Sequence, residues 1–280
     1  MSPPVLTLLY VPADRPDRAR KALASRADVV ILDLEDAVAP AAKEAARAGL
    51  AGLLESATGR PVQVRVNAVS TPWGAADLAT VTELPPSVSV RVPKVQTPAD
   101  VAAVRDAAGD RPVHVLLETA AGVEAAFAIA SAPGVASIGL GEADLASDLG
   151  VVDDGDGLAW CRQRLVVAAR AAGLPPPAMA VWTDLGDPDG LAASCRQGRR
   201  LGFVGRAAIH PKQLPVIEAA FQPSDADVRR ATEVVEAVAS AAEAGSGTAV
   251  LPSGRFVDVA MVEQARRVLA LASRTAAHSS

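Results

Sequence analysis

Aromatic residues make up only 3% of this 280-residue chain, although half of it is hydrophobic. A core must therefore be built from Ala, Val and Leu rather than around large rings. Cysteine is almost missing. Cys161 and Cys195 stand alone, with no CxxC and no zinc spacing, which excludes a disulfide framework and leaves two small core thiols in a reducing compartment. No apolar run approaches the ~20 residues that span a bilayer. Met1-Ser2-Pro3-Pro4 puts no basic region ahead of its short apolar run, so no secretory signal is expected. A net charge of −5 without a dense Lys/Arg tract argues against nucleic acid as a partner. GxGxxG and GxxxxGK[ST] are both absent, which argues against a nucleotide. What is left is a soluble, cytoplasmic protein acting on small molecules, with neither membrane nor nucleic acid as partner.

Short apolar runs recur between helix-favouring stretches. They begin near Val5, Val29, Val62, Val88, Val113, Val135, Ala178 and Arg206, at intervals near the size of a β-α unit. Eight such units predict an α/β fold, a closed (β/α)8 TIM barrel over residues 1–222. The remainder, 223–280, reads as a C-terminal helical extension that packs under its own barrel or on a neighbouring subunit. Within it a helix is expected from Ser224 to Ala244 and a break at Gly245-Ser246-Gly247. A turn between two short extended pieces follows from Ala249 to Asp258, then a helix from Val259 to Arg274, with Thr275–Ser280 frayed. Asp153-Asp154-Gly155-Asp156-Gly157 looks like a calcium loop, but the EF-hand spacing and closing Glu are missing, so a solvated loop is expected.

Chemistry in such a barrel sits where strands end. Val113–Leu117 runs into Glu118, and Val135–Gly141 runs into Glu142-Ala143-Asp144, with an Ala-rich helix expected between them over Ala120–Ala132. A β-α-β unit has parallel strands, so Glu118 and Asp144 emerge side by side. Two hard oxygen ligands suit Mg²⁺ completed by water and substrate; the alternative is that each acid merely caps the following helix. Arg65, inside an apolar alternation, should point into the barrel mouth, gripping a carboxylate or pairing with Glu35 or Asp36. Lys94 offers either a Schiff base or a plain cation among the acids. His210 has no second histidine or acid at ligand spacing and reads as a packing or hydrogen-bonding residue.

Taken in order, several of these segments resemble one family. They are Arg15-Pro16, Leu32-Asp33-Leu34-Glu35-Asp36-Ala37-Val38, Arg65-Val66-Asn67, Thr71-Pro72-Trp73-Gly74, Pro93-Lys94-Val95, Leu117-Glu118-Thr119, Gly141-Glu142-Ala143-Asp144 and Ile209-His210-Pro211. The run is similar to the citrate lyase β-subunit-like proteins of the HpcH/HpaI aldolase superfamily, near malyl-CoA and citramalyl-CoA lyases, and covers about Leu8 to Leu271. The resemblance implies a Mg²⁺-dependent (Mn²⁺ possible in its place) carbon–carbon lyase on a barrel, trimeric or a dimer of trimers. It cleaves a 3-hydroxyacyl-CoA thioester to acetyl-CoA and a 2-oxo acid. Glu118 and Asp144 match the metal ligands, and Arg65 matches the arginine that holds the oxo-acid carboxylate. Asp258, in Gly254-Arg255-Phe256-Val257-Asp258, matches an aspartate lent to an adjacent subunit. Arg65, Asp258, Glu35 and Asp36 form the catalytic set. Arg65, Glu118, Arg15, Asn67, Lys94, Gly141, Glu142, His210 and Pro211 form the substrate-binding set, with Lys43 a further expected acyl-CoA contact. The alternatives are a Schiff-base aldolase on Lys94, a metal-dependent aldolase on free hydroxy-oxo acids, and a non-catalytic oxo-acid-binding subunit.

Overall fold

The computed structural model describes residues 4–55, 59–151 and 156–278. The chain forms two compact units, Val5–Ala220 and Phe221–Ser280 with Met1–Pro4. In the first, seven parallel strands make one sheet: β1 (Thr7–Pro12), β2 (Val29–Asp33), β3 (Val62–Arg65), β4 (Val88–Val92), β5 (Val113–Leu117), β6 (Val135–Leu140) and β7 (Arg206–Ala208). Their order is β6-β5-β4-β3-β2-β1-β7. These strands are valine-rich because β-branched side chains fit a pleated surface, and in β3, β4 and β5 the valines alternate with Gln63, Arg65, Ser89, Arg91 and His114. Every residue of β2 and β4 is buried. Helix starts are marked in the sequence, as at Thr97, whose hydroxyl and Asp100 form a capping box ahead of Pro98–Ala108.

The strand expected at Ala178 does not form. Met179 makes an isolated parallel bridge to Arg206, donating its N–H to the Gly205 carbonyl at 3.0 Å and accepting from Ala207 at 2.9 Å. Pro175, Pro176 and Pro177 precede it, and residues without an N–H cannot extend a ladder. Among the described residues, no backbone pairing joins β6 to this segment. The architecture is therefore a seven-stranded parallel sheet with a bridged eighth position, where eight full strands were expected. The single helix expected over Ala120–Ala132 is two, Ala120–Glu124 and Ala126–Ala130, parted at Ala125. Because all seven strands are parallel, their C-terminal ends share one edge.

The second unit pairs the helix Asp225–Glu243, opened by a Ser224–Asp227 capping box, with the helix Val259–His278. Between them lies an antiparallel hairpin of β8 (Thr248–Val250) and β9 (Phe256–Asp258). Val234, Val238, Leu251, Val257 and Val262 form its core. The last helix runs past Thr275, where fraying was expected, because no Gly or Pro interrupts Val259–His278. Of the acidic loop, residues 153–155 lie outside the described ones. Both cysteines are buried and free. No described helix is long and apolar enough to cross a membrane.

Candidate active site

Three carboxylates from the ends of β2, β5 and β6 converge on one ammonium. Lys94 Nζ rests against Asp144 Oδ2, lies 3.3 Å from Glu35 Oε1 and 3.5 Å from Glu118 Oε2. Its backbone N–H also donates to Glu118 Oε2 at 3.2 Å. Lys94 has φ 56°, the only left-handed non-glycine residue among those described. That conformation costs about 1–3 kcal/mol, and such strain tends to gather at functional sites. Neither acid is a helix cap. Thr119 Oγ1 takes the Gly122 N–H ahead of Ala120–Glu124, and the helix Glu142–Leu149 begins at Gly141 with no side-chain cap. Gly141 makes room for Glu118: a Cβ there would stand 2.3 Å from Glu118 Oε1.

Burial pushes the Glu118 carboxyl up to about 7, helped by the charge of Glu35. Burial likewise pushes Glu35 up to about 7; Arg65 pulls it back and Asp36 adds to the rise. Lys94 is drawn down by burial, but its hydrogen bond to Asp144 and the charges of Glu35 and Glu118 outweigh that and hold it above its ordinary value. It is therefore a cation at neutral pH, not the free amine that Schiff-base chemistry requires.

This donor set fits a hard divalent ion. Asp33, Glu35, Asp36, Glu118 and Asp144 outnumber Arg65 and Lys94, and Glu118 and Asp144 already share one cation. Among the described residues no three acids, histidines or cysteines enclose a metal by themselves. The arrangement left is a pair of carboxylates with remaining positions open to water and substrate.

Arg65 is gripped by an acid that the sequence reading had not assigned to it. Its Nε and Nη2 donate to Asp33 Oδ1 and Oδ2 at 2.7 and 2.6 Å, a bidentate pair. Nη1 lies 2.8 Å from Glu35 Oε2, an ion pair off the hydrogen-bond line, and donates to Asp36 at 3.2 Å. The guanidinium sits over the Tyr10 ring, 5.0 Å from its centroid. Asp33 ends β2 in register with Arg65 at the end of β3, which sets the two side chains together.

The other candidate residues fall elsewhere. Asn67 is buried and donates to the Leu34 carbonyl and to Asp77 Oδ2, at 3.0 and 2.6 Å, while Arg47 holds the other Asp77 oxygen at 2.9 Å. Asp77 was not foreseen. Glu142 accepts both arms of Arg162, at 2.9 and 2.6 Å. Lys43 was expected at acyl-CoA, but its ammonium is buried, donates to the Leu34 and Glu35 carbonyls at 2.8 Å each, and lies over Trp73. Arg15 is exposed beside Asp14. His210 Nδ1 accepts the Lys212 N–H at 3.1 Å and Pro211 opens a single 3-10 turn. Together His210 and Lys212 line a pocket of about 270 Å³ with Asp184 and Asp187. Asp258 closes β9 in the second unit, its Oδ1 accepting the Met261 N–H at 3.3 Å.

A family model described as HpcH/HpaI aldolase/citrate lyase matches residues 6–211. The chain belongs to the HpcH/HpaI aldolase/citrate lyase family. A (3S)-malyl-CoA thioesterase of Cereibacter sphaeroides is 38% identical, the match covering 98% of this chain and 96% of the relative. An L-malyl-CoA/β-methylmalyl-CoA lyase of the same species is 33% identical over 93% and 92%. Among solved structures, CitE from Mycobacterium tuberculosis in complex with magnesium, acetoacetate and coenzyme A superposes with a TM-score of 0.80 at 33% identity. That match covers 96% of this chain and 98% of that one. This family member is thus a citrate lyase β-like protein by sequence and by fold, with malyl-CoA lyases and thioesterases among its relatives.

Proposed function

We propose that this family member is a Mg²⁺-dependent carbon–carbon lyase. It cleaves a 3-hydroxyacyl-CoA thioester of the citryl-, malyl- or citramalyl-CoA type into acetyl-CoA and a 2-oxo acid. The observation that carries this is the convergence of Glu118 and Asp144 on a single cation. Support also comes from the Mg²⁺ and coenzyme A held by the superposable CitE. In this reading the scaffold is a closed (β/α)8 barrel over 1–222, and 223–280 packs on a neighbour in a cytoplasmic homotrimer or dimer of trimers.

Mg²⁺ (Mn²⁺ in its place) would be held by Glu118 and Asp144 and would supply Lewis acidity to the reaction. Glu35, buried beside the pair, takes the hydroxyl proton. The carbon–carbon bond then breaks, its electrons passing to the thioester α-carbon as an enolate, and the hydroxyl carbon becomes the oxo carbon. Arg65 holds the substrate carboxylate and so fixes the scissile bond. Asp33 keeps the guanidinium in place, while Asp36, 65% exposed and a weak partner, gives way to the incoming carboxylate. Asp258 of an adjacent subunit returns a proton to the enolate carbon, completing acetyl-CoA. Gly141 lines the approach to Glu118, and Lys94 neutralises the acids until substrate arrives. Arg15, His210 and Pro211 lie toward the acyl-CoA.

The 38% identity to a (3S)-malyl-CoA thioesterase favours a second reading, thioester hydrolysis on the same site. A panel of malyl-, citramalyl- and citryl-CoA, each with Mg²⁺ and with chelator, separates the two. Acetyl-CoA plus an oxo acid is the lyase outcome, and free CoA plus the intact hydroxy acid is the hydrolase outcome. Glu118→Ala should abolish metal-dependent turnover, and full activity in that variant would remove the assignment.

A further inference from the structure

Lys43 and the Thr71-Pro72-Trp73-Gly74 turn meet behind Glu35. Lys43 opens the helix Lys43–Ala48 and is 5% exposed. Its ammonium donates to the Leu34 and Glu35 carbonyls at 2.8 Å each, and among the described residues it makes no ion pair. A buried ammonium without a carboxylate costs stability that an apolar side chain of similar volume would not. Packing alone therefore does not account for a lysine here.

The two carbonyls do. Successive carbonyls of a strand point to opposite neighbours, so two that converge on one donor mark a chain leaving strand geometry. β2 ends at Asp33, immediately before them. The Glu35 peptide is held from other sides as well. Its N–H donates to Asp33 Oδ1 at 2.9 Å, its carbonyl also takes the Val38 N–H at 3.0 Å, and Asn67 Nδ2 donates to the Leu34 carbonyl at 3.0 Å. The side chain is held far more loosely. Among the described residues its one hydrogen bond, from Lys94 to Oε1, is long at 3.3 Å, and Oε2 is buried without one. The Glu35 carboxylate thus takes its place beside Lys94 and Arg65 from the backbone that Lys43 clamps.

The clamp is braced in turn. Lys43 Nζ lies 5.2 Å from the centroid of the Trp73 ring, a face that attracts a cation. Trp73 is set by a tight turn in which the Thr71 N–H and hydroxyl both donate to the Ala68 carbonyl, at 2.9 and 2.7 Å. A Cβ on Gly74 would stand 2.5 Å from that same oxygen, so a glycine must follow Trp73.

We propose that Lys43 is a positioning residue for Glu35, fixing the Leu34–Glu35 turn so that the carboxylate stands where the substrate hydroxyl is deprotonated. The proposal rests on the lyase reading, in which Glu35 takes that proton.

A crystal structure of full-length Lys43→Met beside wild type tests the geometry without turnover. The Glu35 carboxylate should move by about 1 Å or more from Lys94 and Arg65, a displacement large enough to matter for rate, while Asp33 keeps Arg65. Kinetics on whichever of malyl-, citramalyl- or citryl-CoA wild type cleaves test the consequence. Lys43→Met should lower kcat about tenfold to a hundredfold with KM within about twofold. Glu35→Gln should lose about 10²–10⁴ in kcat, and adding Lys43→Met to it should lower kcat by less than about twofold, because an absent base cannot be misplaced. An unmoved Glu35, or a full further loss in the double variant, would overturn the proposal. If Lys43→Met does not fold, Lys43→Gln, which keeps a donor without the charge, takes its place. If neither folds, Lys43 serves the fold at large and the proposal falls. A displaced Glu35 in a protein whose wild type cleaves none of the thioesters would support the positioning role and remove the lyase reading instead.

Discussion

Burial decides the charge of His114. Desolvation, and after it the charge of Arg91, pushes the imidazole down to about 3 from 6.5. Between those values the unfolded chain binds a proton that the native state refuses. Stability contributed by this residue is therefore present above the unfolded value and falls as pH drops toward 3, by at most about 1.4 kcal/mol per unit. His114→Gln keeps a side chain able to bond Ser137 and removes the titration. Urea unfolding taken from about pH 6.5 to about 4.5 should cost wild type about 2 kcal/mol more than the variant. Parallel pH dependences would show that His114 is protonated in the native state. The same desolvation acts in opposite senses on acids and bases. It lifts Glu35 and Glu118, and it would lower Lys94 but for the acids around it. None of this could be read from residue types. Lys94 was legible as a charge at a strand end, but its left-handed backbone and its choice between cation and nucleophile came from its neighbours.

At the scale of elements, the sequence was most informative where a strand has one environment along its length. β2 through β6 begin at the valines that periodicity and flanking turns indicate, because β-branched residues bounded by turn residues mark a buried, pleated segment. It was least informative where pairing decides. Pro175–Pro177 removed the donors that a strand at Ala178 needed, although the run around it is apolar. Asp33, Asp77 and Arg162 went unassigned as partners because they meet Arg65, Asn67 and Glu142 only once register is fixed. Gly141 shows what an element end does for the site. Its φ is −94°, so any residue could adopt the backbone there, and the constraint is steric. The atom in the way is the far end of a flexible Glu118 side chain, 2.3 Å from the added Cβ. Gly141→Ala should therefore fold, losing less than about 1.5 kcal/mol, while pushing the carboxylate off its place. Thermal melts with and without Mg²⁺ read both effects: the metal-free melt should hardly change, and the Mg²⁺-induced rise should shrink severalfold. An undiminished rise would mean that Glu118 needs no such position.

On the scale of the whole molecule, the question is whether Asp258, the proposed proton donor, serves its own chain or a neighbouring one. Glu118 belongs to Val5–Ala220 and Asp258 to the unit formed by Phe221–Ser280. Each unit has its own apolar core, so each can hold its functional side chain in place by itself. That separation is what a donor lent between subunits requires, and it yields a test that no single variant provides. Glu118→Ala and Asp258→Asn should each be inactive, the first with Mg²⁺ binding lost and the second with it retained. If Asp258 serves a neighbouring chain, unfolding and refolding the two variants together creates sites with an intact barrel from one chain and an intact aspartate from the next. In a random equal mixture of a head-to-tail ring, about a quarter of the sites regain both groups. Activity near that fraction of wild type, rising from none in either variant alone, is the expected result. If Asp258 instead served its own chain, every site would lack one group whatever the mixing. The refolded mixture would then stay as inactive as its parents, and the sharing of Asp258 between subunits would fall.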